Sequence, residues 1–208
     1  LAPFMPLEGD ARGPSELRGV GGPMKVGDMT PVSRTVQAFV DAAARCGIAR
    51  VHDLSVAGEE GAGVLQATIH RGRRQTTYNA FIAPVRSRGN LAVRTGVHVR
   101  RVLVENGQAT GVEIVQDGQV HALRAAREVI LSAGTLNTPQ LLMLSGIGDA
   151  QHLRECGVAP LLHLPGVGQN LQDHCSVHVK VRTRKGWSYN ADLTGWRKYW
   201  EGFKYVAT

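Results

Sequence analysis

Residues 128–148 read EVILSAGTLNTPQLLMLSGIG, and the fold turns on how this stretch is understood. Val129-Ile130-Leu131 is continuously apolar, the pattern of a strand covered on both faces. The run enters the small turn Ser132-Ala133-Gly134. After it, Asn137 or Thr138 is predicted to open a helix with Pro139 in the first turn and Leu141, Leu142 and Leu144 along its length. Strand, glycine turn and helix form the α/β unit that offers ligands the carboxyl end of a strand. The residues alone leave two readings open, a ligand turn and a plain structural turn.

Upstream, Leu91 to Arg94, Val97 to Val104, Gly111 to Val115 and Val120 to Leu123 are short strand-like runs. Asn106-Gly107 and Asp117-Gly118 sit between the last three as hairpin turns, which predicts an antiparallel meander. Further upstream, alternation predicts a strand over Val64 to His70. Val32, Val36, Phe39, Val40 and Ala43 repeat at helical spacing from a Thr30-Pro31 start to a stop at Gly47. Residues 1–25 are punctuated by glycine and proline and read as irregular chain. Downstream come a short helix from Asp149 to Cys156 closed by Gly157, the segment PGVGQNLQDH at 165–174, and a strand pattern at Val177 to Arg184. The tail concentrates the aromatics Trp187, Tyr189, Trp196, Tyr199, Trp200, Phe203 and Tyr205, residue types that line a core or a pocket rim.

The 208 residues are 43% hydrophobic and 20% charged, a composition that excludes a disordered tail. Cys46, Cys156 and Cys175 are odd in number and form no CxxC pair, which argues against a disulfide framework or zinc site and for a reducing, cytoplasmic setting. No apolar run reaches the roughly 18 residues of a membrane span, and the amino end lacks a signal-peptide pattern. With 24 basic against 17 acidic side chains the net charge is +7, which raises nucleic acid as a partner. The arginines are scattered beside turns, however, and aromatics make up only 5% of the chain, so stacking platforms are scarce. A solvated basic surface and no nucleic-acid partner are expected.

The string GTLNTPQLLMLSGIG at 134–148 closely resembles the second signature of the glucose–methanol–choline oxidoreductase family. PGVGQNLQDH resembles the extension that follows it there, GVGGPMKV at 19–26 is similar to that family's GGPL-V entry, and NLAVRT at 90–95 resembles the strand before its adenine-contact loop. Fold and chemistry follow from the resemblance as expectations. It implies an α/β FAD-binding (Rossmann-like) domain with an antiparallel β-meander, interleaved with part of an α+β substrate domain. Residues 1–25 form a lead-in, 26–75 part of the substrate domain and 76–150 part of the FAD-binding domain. Residues 151–175 form a connecting or lid extension, and 176–208 begin the carboxyl-terminal substrate domain. The family's GxGxxG fingerprint and its carboxyl-terminal catalytic His have no counterpart here, so the sequence is read as an internal piece of a longer enzyme.

The implied activity is FAD-dependent oxidation of a small-molecule alcohol, with a choline or alcohol dehydrogenase-like branch as the nearest resemblance and the electron acceptor left open. The alternative is a truncated, non-catalytic fragment or binding module without flavin. By resemblance, Ser132, Ala133 and Gly134 pass close to the FAD adenosine, where small residues permit approach of backbone to ligand, and the main chain of Val99 meets the adenine. Asn137 corresponds to a substrate-facing position, although as a neutral group it offers no charge-assisted contact to choline; helix capping is its other reading. His174 is placed near flavin and substrate, where it can stabilise a developing alkoxide. A structural His bonded to backbone is the alternative. Asp173 and Asn170 fix their loop through turn-type hydrogen bonds, and Arg71, Arg73 and Arg74 take a surface or domain-packing role.

Overall fold

In chain order the computed structural model, which describes residues 3–54, 60–181, 187 and 193–207, contains β1 (Glu8–Asp10), β2 (Met24–Asp28), α1 (Arg34–Arg45), β3 (Gln66–Ala67), β4 (Ile69–His70), β5 (Arg73–Arg74), β6 (His98–Glu105), β7 (Gln108–Gln116), β8 (Gln119–Arg124), α2 (Gly134–Leu144), β9 (Ile147–Gly148), α3 (Ala150–Glu155), β10 (Leu162–His163) and α4 (Arg197–Ala207). The chain divides into two units, Leu1–Ala92 with Val179–Thr208, and Val93–His178.

The first unit carries a three-stranded sheet in which β1 and β2 are parallel and β3 joins β2 antiparallel. Buried Asp10 ties its edges together, accepting from the Arg12 N–H at 2.8 Å and from Gln66 Nε2 at 3.0 Å. Arg18 pairs with Asp10 and Asp53, and Arg12 bridges Asp28 and Asp53. Burial leaves Asp10, Asp53 and the two guanidiniums dependent on one another, whereas Asp28 is exposed. The helix predicted from Thr30-Pro31 begins instead at Arg34, because the Ser33 hydroxyl accepts the free Val36 N–H at 3.2 Å and so fixes the first turn. Its predicted stop at Gly47 holds: φ there is +85°, and the Gly47 and Ile48 N–H groups close back on Ala44 and Ala43 as a Schellman motif. The single strand predicted over 64–70 is broken at Thr68, since β3 pairs with β2 whereas β4 pairs with β5 across Arg71-Gly72. Nor do residues 91–94 join a ladder; the Leu91 N–H turns back onto Arg88 C=O at 3.1 Å.

In the second unit β6, β7 and β8 form an antiparallel sheet joined by two-residue turns. Asn106-Gly107 has φ of +51° and +78°, and Asp117-Gly118 +51° and +74°, the double left-handed geometry whose twist matches the strands. Ile114, Val102, Leu141 and Leu153 are its buried apolar residues. Beyond α2, the parallel pair β9 and β10 brackets α3. Asp149 caps that helix by accepting from the Gln151 and His152 N–H groups at 3.0 and 2.9 Å, which holds its carboxyl below the usual range.

Four expectations need correction here. Residues 128–132 form no strand and pair with no described strand, and Ile130 is 76% exposed; an apolar run specifies burial on both faces, not the backbone that must lie alongside. The helix opens at Gly134, three residues before Asn137, because Gly134 at φ +86° swings the chain directly into it while Thr138 Oγ1 accepts the Ala133 N–H at 3.1 Å. Asn137 is therefore no cap, and Pro139 lies inside the helix. Third, residues 177–181 form no strand, and Val177, Val179 and Val181 are exposed; 182–184 lie outside the described residues. The tail aromatics Trp187, Trp196, Tyr199, Trp200 and Phe203 are exposed rather than lining a core, with Trp200 and Phe203 stacked on each other at 5.8 Å. Tyr189 is outside the described residues, as is the side chain of Tyr205.

Candidate functional site

One groove of about 720 Å3 runs through the second unit. It is lined by Val97 and the first β6 residues His98 and Val99, by Val112 of β7, by residues 129–133, and by the α2 residues Asn137, Gln140, Leu141 and Leu144. Ser145 fixes these parts against one another. Its buried hydroxyl accepts the Val102 N–H at 2.8 Å and donates to Leu141 C=O at 2.6 Å, pinning the end of α2 to the middle of β6. A bulge between Val99 and Arg101 sets the direction of β6 beside the groove. It brings Arg100 and Arg101 to opposite oxygens of Glu113, at 3.2 and 2.9 Å. The hydrogen bond from Arg101 is the main reason the Glu113 carboxyl sits below its ordinary range, and the same contact raises Arg101.

Of the residues singled out in the sequence, Val99, Ser132, Ala133 and Asn137 all line this groove. Gly134 stands next to them and supplies the turn: a Cβ there would meet nothing within 4 Å, so glycine answers to the +86° φ and not to crowding. His174 is elsewhere. It is exposed at the end of the 165–174 loop, its N–H donating to Asp173 Oδ1 at 2.8 Å. That loop, with Asn170 at φ +55°, borders a second groove of about 430 Å3 with Thr135, Leu136, Pro139 and Met143. At 100° per residue Thr135 and Pro139 fall about 160° around α2 from Asn137, while Leu136 and Met143 lie between them and Gln140. Arg71, Arg73 and Arg74 lie exposed on the β4–β5 hairpin.

The first groove is lined by no Asp, Glu, Lys or Arg; the polar residues along it are His98, Ser132, Asn137 and Gln140. Such a lining suits a neutral ring with hydrogen-bonding edges. Sequence reasoning missed His98 and Gln140. Gln140 was within reach, being three positions from Asn137 and so on the same helix face. Among the described residues no group of three or more His, Cys, Asp or Glu is placed to hold a metal ion, and no helix is long and apolar enough to cross a membrane.

The sequence profile of the GMC oxidoreductases matches residues 9–176. The chain belongs to the GMC oxidoreductase family. Relatives within it include the mitochondrial choline dehydrogenase of Homo sapiens, 42% identical over 85% of this chain and 30% of that protein. An oxygen-dependent choline dehydrogenase of Rhizobium johnstonii is 38% identical over 96% of this chain and 36% of its own length. Among solved structures, an FAD-dependent oxidoreductase from Chaetomium thermophilum superposes with a TM-score of 0.74 at 28% identity, over 82% of this chain and 32% of that one. The chain thus spans about a third of the length of these GMC relatives.

Proposed function

We propose that this chain holds the adenosine end of FAD in an oxidoreductase that removes a hydride from the CH–OH group of a small-molecule alcohol. The observation that carries the reading is the meeting of Val99 with Ser132, Ala133 and Asn137 in one groove, although they come from motifs more than thirty residues apart. The groove fits the group: Ser132 and Ala133 put no bulk beyond a hydroxymethyl or methyl into it, the walls are apolar, and the polar edges are uncharged. Bound FAD supplies the hydride acceptor. Val99 and the 132–134 turn bind and orient the adenosine through close backbone approach. Because Asn137 shares their groove, a cofactor contact is favoured over the substrate-facing role that the resemblance implied. His174, on its exposed loop, is proposed to stabilise a developing alkoxide.

Relatives named choline dehydrogenase support an amino alcohol or related alcohol as substrate. Within this reading, 76–150 belongs to the FAD-binding domain, 151–175 to a connecting extension, and 26–75 with 176–208 to the substrate domain. The grouping of residues 179–208 with 1–92 supports that interleaving. A cytoplasmic setting is part of the same proposal, supported by three free, exposed cysteines. Titrating the chain with FAD and following flavin fluorescence tests the assignment. Saturable quenching that ADP reverses, and that Ala133→Trp abolishes by filling the groove, is expected; no saturable quenching overturns it.

A further inference from the structure

The two edges of the β6–β7–β8 sheet are built differently. Along β6 the ladder is interrupted by bulges between Val99 and Arg101 and between Leu103 and Val104, and the Val102 N–H is taken by the Ser145 hydroxyl. Bulges and capped donors are devices by which an edge strand refuses a further strand. β8 has none of them. It keeps an unbroken register with β7, from Gln116 opposite Gln119 to Gly111 opposite Arg124, and includes neither proline nor lysine. The Ala125 N–H donates to Thr110 C=O at 2.9 Å. On this strand, therefore, Gln119, His121 and Leu123 turn their main-chain groups to β7, while Val120, Ala122 and Arg124 turn theirs outward. Those outward residues are exposed, and no described strand pairs with that edge.

The sequence of β8 also fits itself. When two copies meet antiparallel about Ala122, Val120 of one faces Arg124 of the other, Ala122 faces Ala122, and His121 faces Leu123. The outward donors and acceptors of both strands are then used, and no charge stands opposite a like charge. Arg124 is paired with Glu105 of its own copy, and its aliphatic stem is presented to Val120, which is 53% exposed. The alternative register centred on His121 opposes two imidazoles and leaves Arg124 beyond the paired strand, opposite the Gly118 turn. We propose that β8 is a docking edge for a second copy of this chain, paired antiparallel about Ala122 so that the sheet continues across a two-fold axis. Edge pairing alone buries little surface, so the association is weak and concentration-dependent. It goes beyond the flavin reading and stands or falls without it.

Sedimentation of the 208-residue chain over a concentration series, with amide hydrogen exchange read residue by residue at both ends of the series, tests the pairing. The mass is expected to rise toward twice that of one chain. Protection at Val120, Ala122 and Arg124 should rise about tenfold with it, while Gln119, His121 and Leu123 are protected throughout. Ala122→Pro removes an outward N–H and leaves the bonds to β7 in place, since proline is accepted on the open side of an edge strand. This variant is expected to keep the wild-type circular-dichroism spectrum and to remain a single chain at every concentration. A wild-type chain that stays monomeric overturns the inference. So does a dimer whose outward amides exchange at one rate across the series, or one that survives Ala122→Pro, because either assigns the association to another surface. The exchange pattern of the wild type needs no variant and decides the matter if the proline disturbs folding.

Discussion

Ser145 does more for the groove than its place after a leucine-rich helix suggests. The residue is 4% exposed, and its hydroxyl is bonded on both sides, to the Val102 N–H and the Leu141 carbonyl. Removing it strands a buried strand donor, which costs about 1–3 kcal/mol. Ser145→Ala is therefore expected to lower the urea midpoint by that energy divided by an unchanged m-value. Glycines differ in the same way by what surrounds them. At Gly111 an added Cβ would lie 2.1 Å from the Leu123 carbonyl oxygen across the β7–β8 ladder, whereas at Gly118 it would meet nothing within 4 Å. Gly111→Ala forces the two strands apart at a residue whose own φ is +156°, so its loss of thermal stability should exceed that of Gly118→Ala, where only the φ of +74° opposes the change. Equal losses at the two sites would show that backbone conformation and not the ladder contact sets the cost. Neither requirement is legible from composition: SGIG and TGVEI read as turn and strand, and the partners come from 43 and 12 residues away.

At the scale of elements, the meander was legible because its turns carry their own chemistry, with Asn-Gly and Asp-Gly populating the double left-handed turn wherever they occur. Helix starts were less so. Ser33 displaced Thr30-Pro31, and Gly134 displaced Asn137, since a cap is whichever group reaches the free N–H groups in three dimensions. The β6–β7 ladder has a pH dependence with a definite sign. Arg101 and Arg100 hold the Glu113 carboxyl below its ordinary value, so the unfolded chain takes up a proton there more readily than the folded one. The stabilisation is complete above the unfolded glutamate value and is lost as pH falls through the lower, folded one. Its Arg101 partner is shifted upward and stays charged throughout that window. Replacing Glu113 with Gln should flatten the acid limb of denaturant midpoints measured between about pH 3 and 6; an acid limb as steep as in the wild type would exclude Glu113 as its source.

For the molecule as a whole, the buried apolar residues among those described are few, Val40, Ala80, Val102, Ile114, Leu141 and Leu153, while Phe39, Ile130, Leu136, Val177 and Trp196 are exposed. Apolar surface of that extent binds hydrophobic dyes. The 208-residue chain is expected to enhance anilinonaphthalene sulfonate fluorescence strongly under native conditions, with the circular-dichroism signature of folded helices retained; a dye response no larger than that of a compact globular protein of this size would contradict the exposures described. Much about this chain was determined by its sequence alone: the family signature at 134–148, the meander, the helix stops at Gly47 and Gly157, and the small turn at 132–134 are local patterns of residue type and spacing. Only the tertiary structure decided which of them meet. It brought Val99 beside Ser132, put Asn137 in the same groove rather than at a helix cap, added His98 and Gln140, and left His174 apart from them. The physical reason is that conformational preference acts over a few neighbouring residues, whereas a groove is made by packing across a sheet and a helix, and packing between distant segments leaves no periodic mark on either.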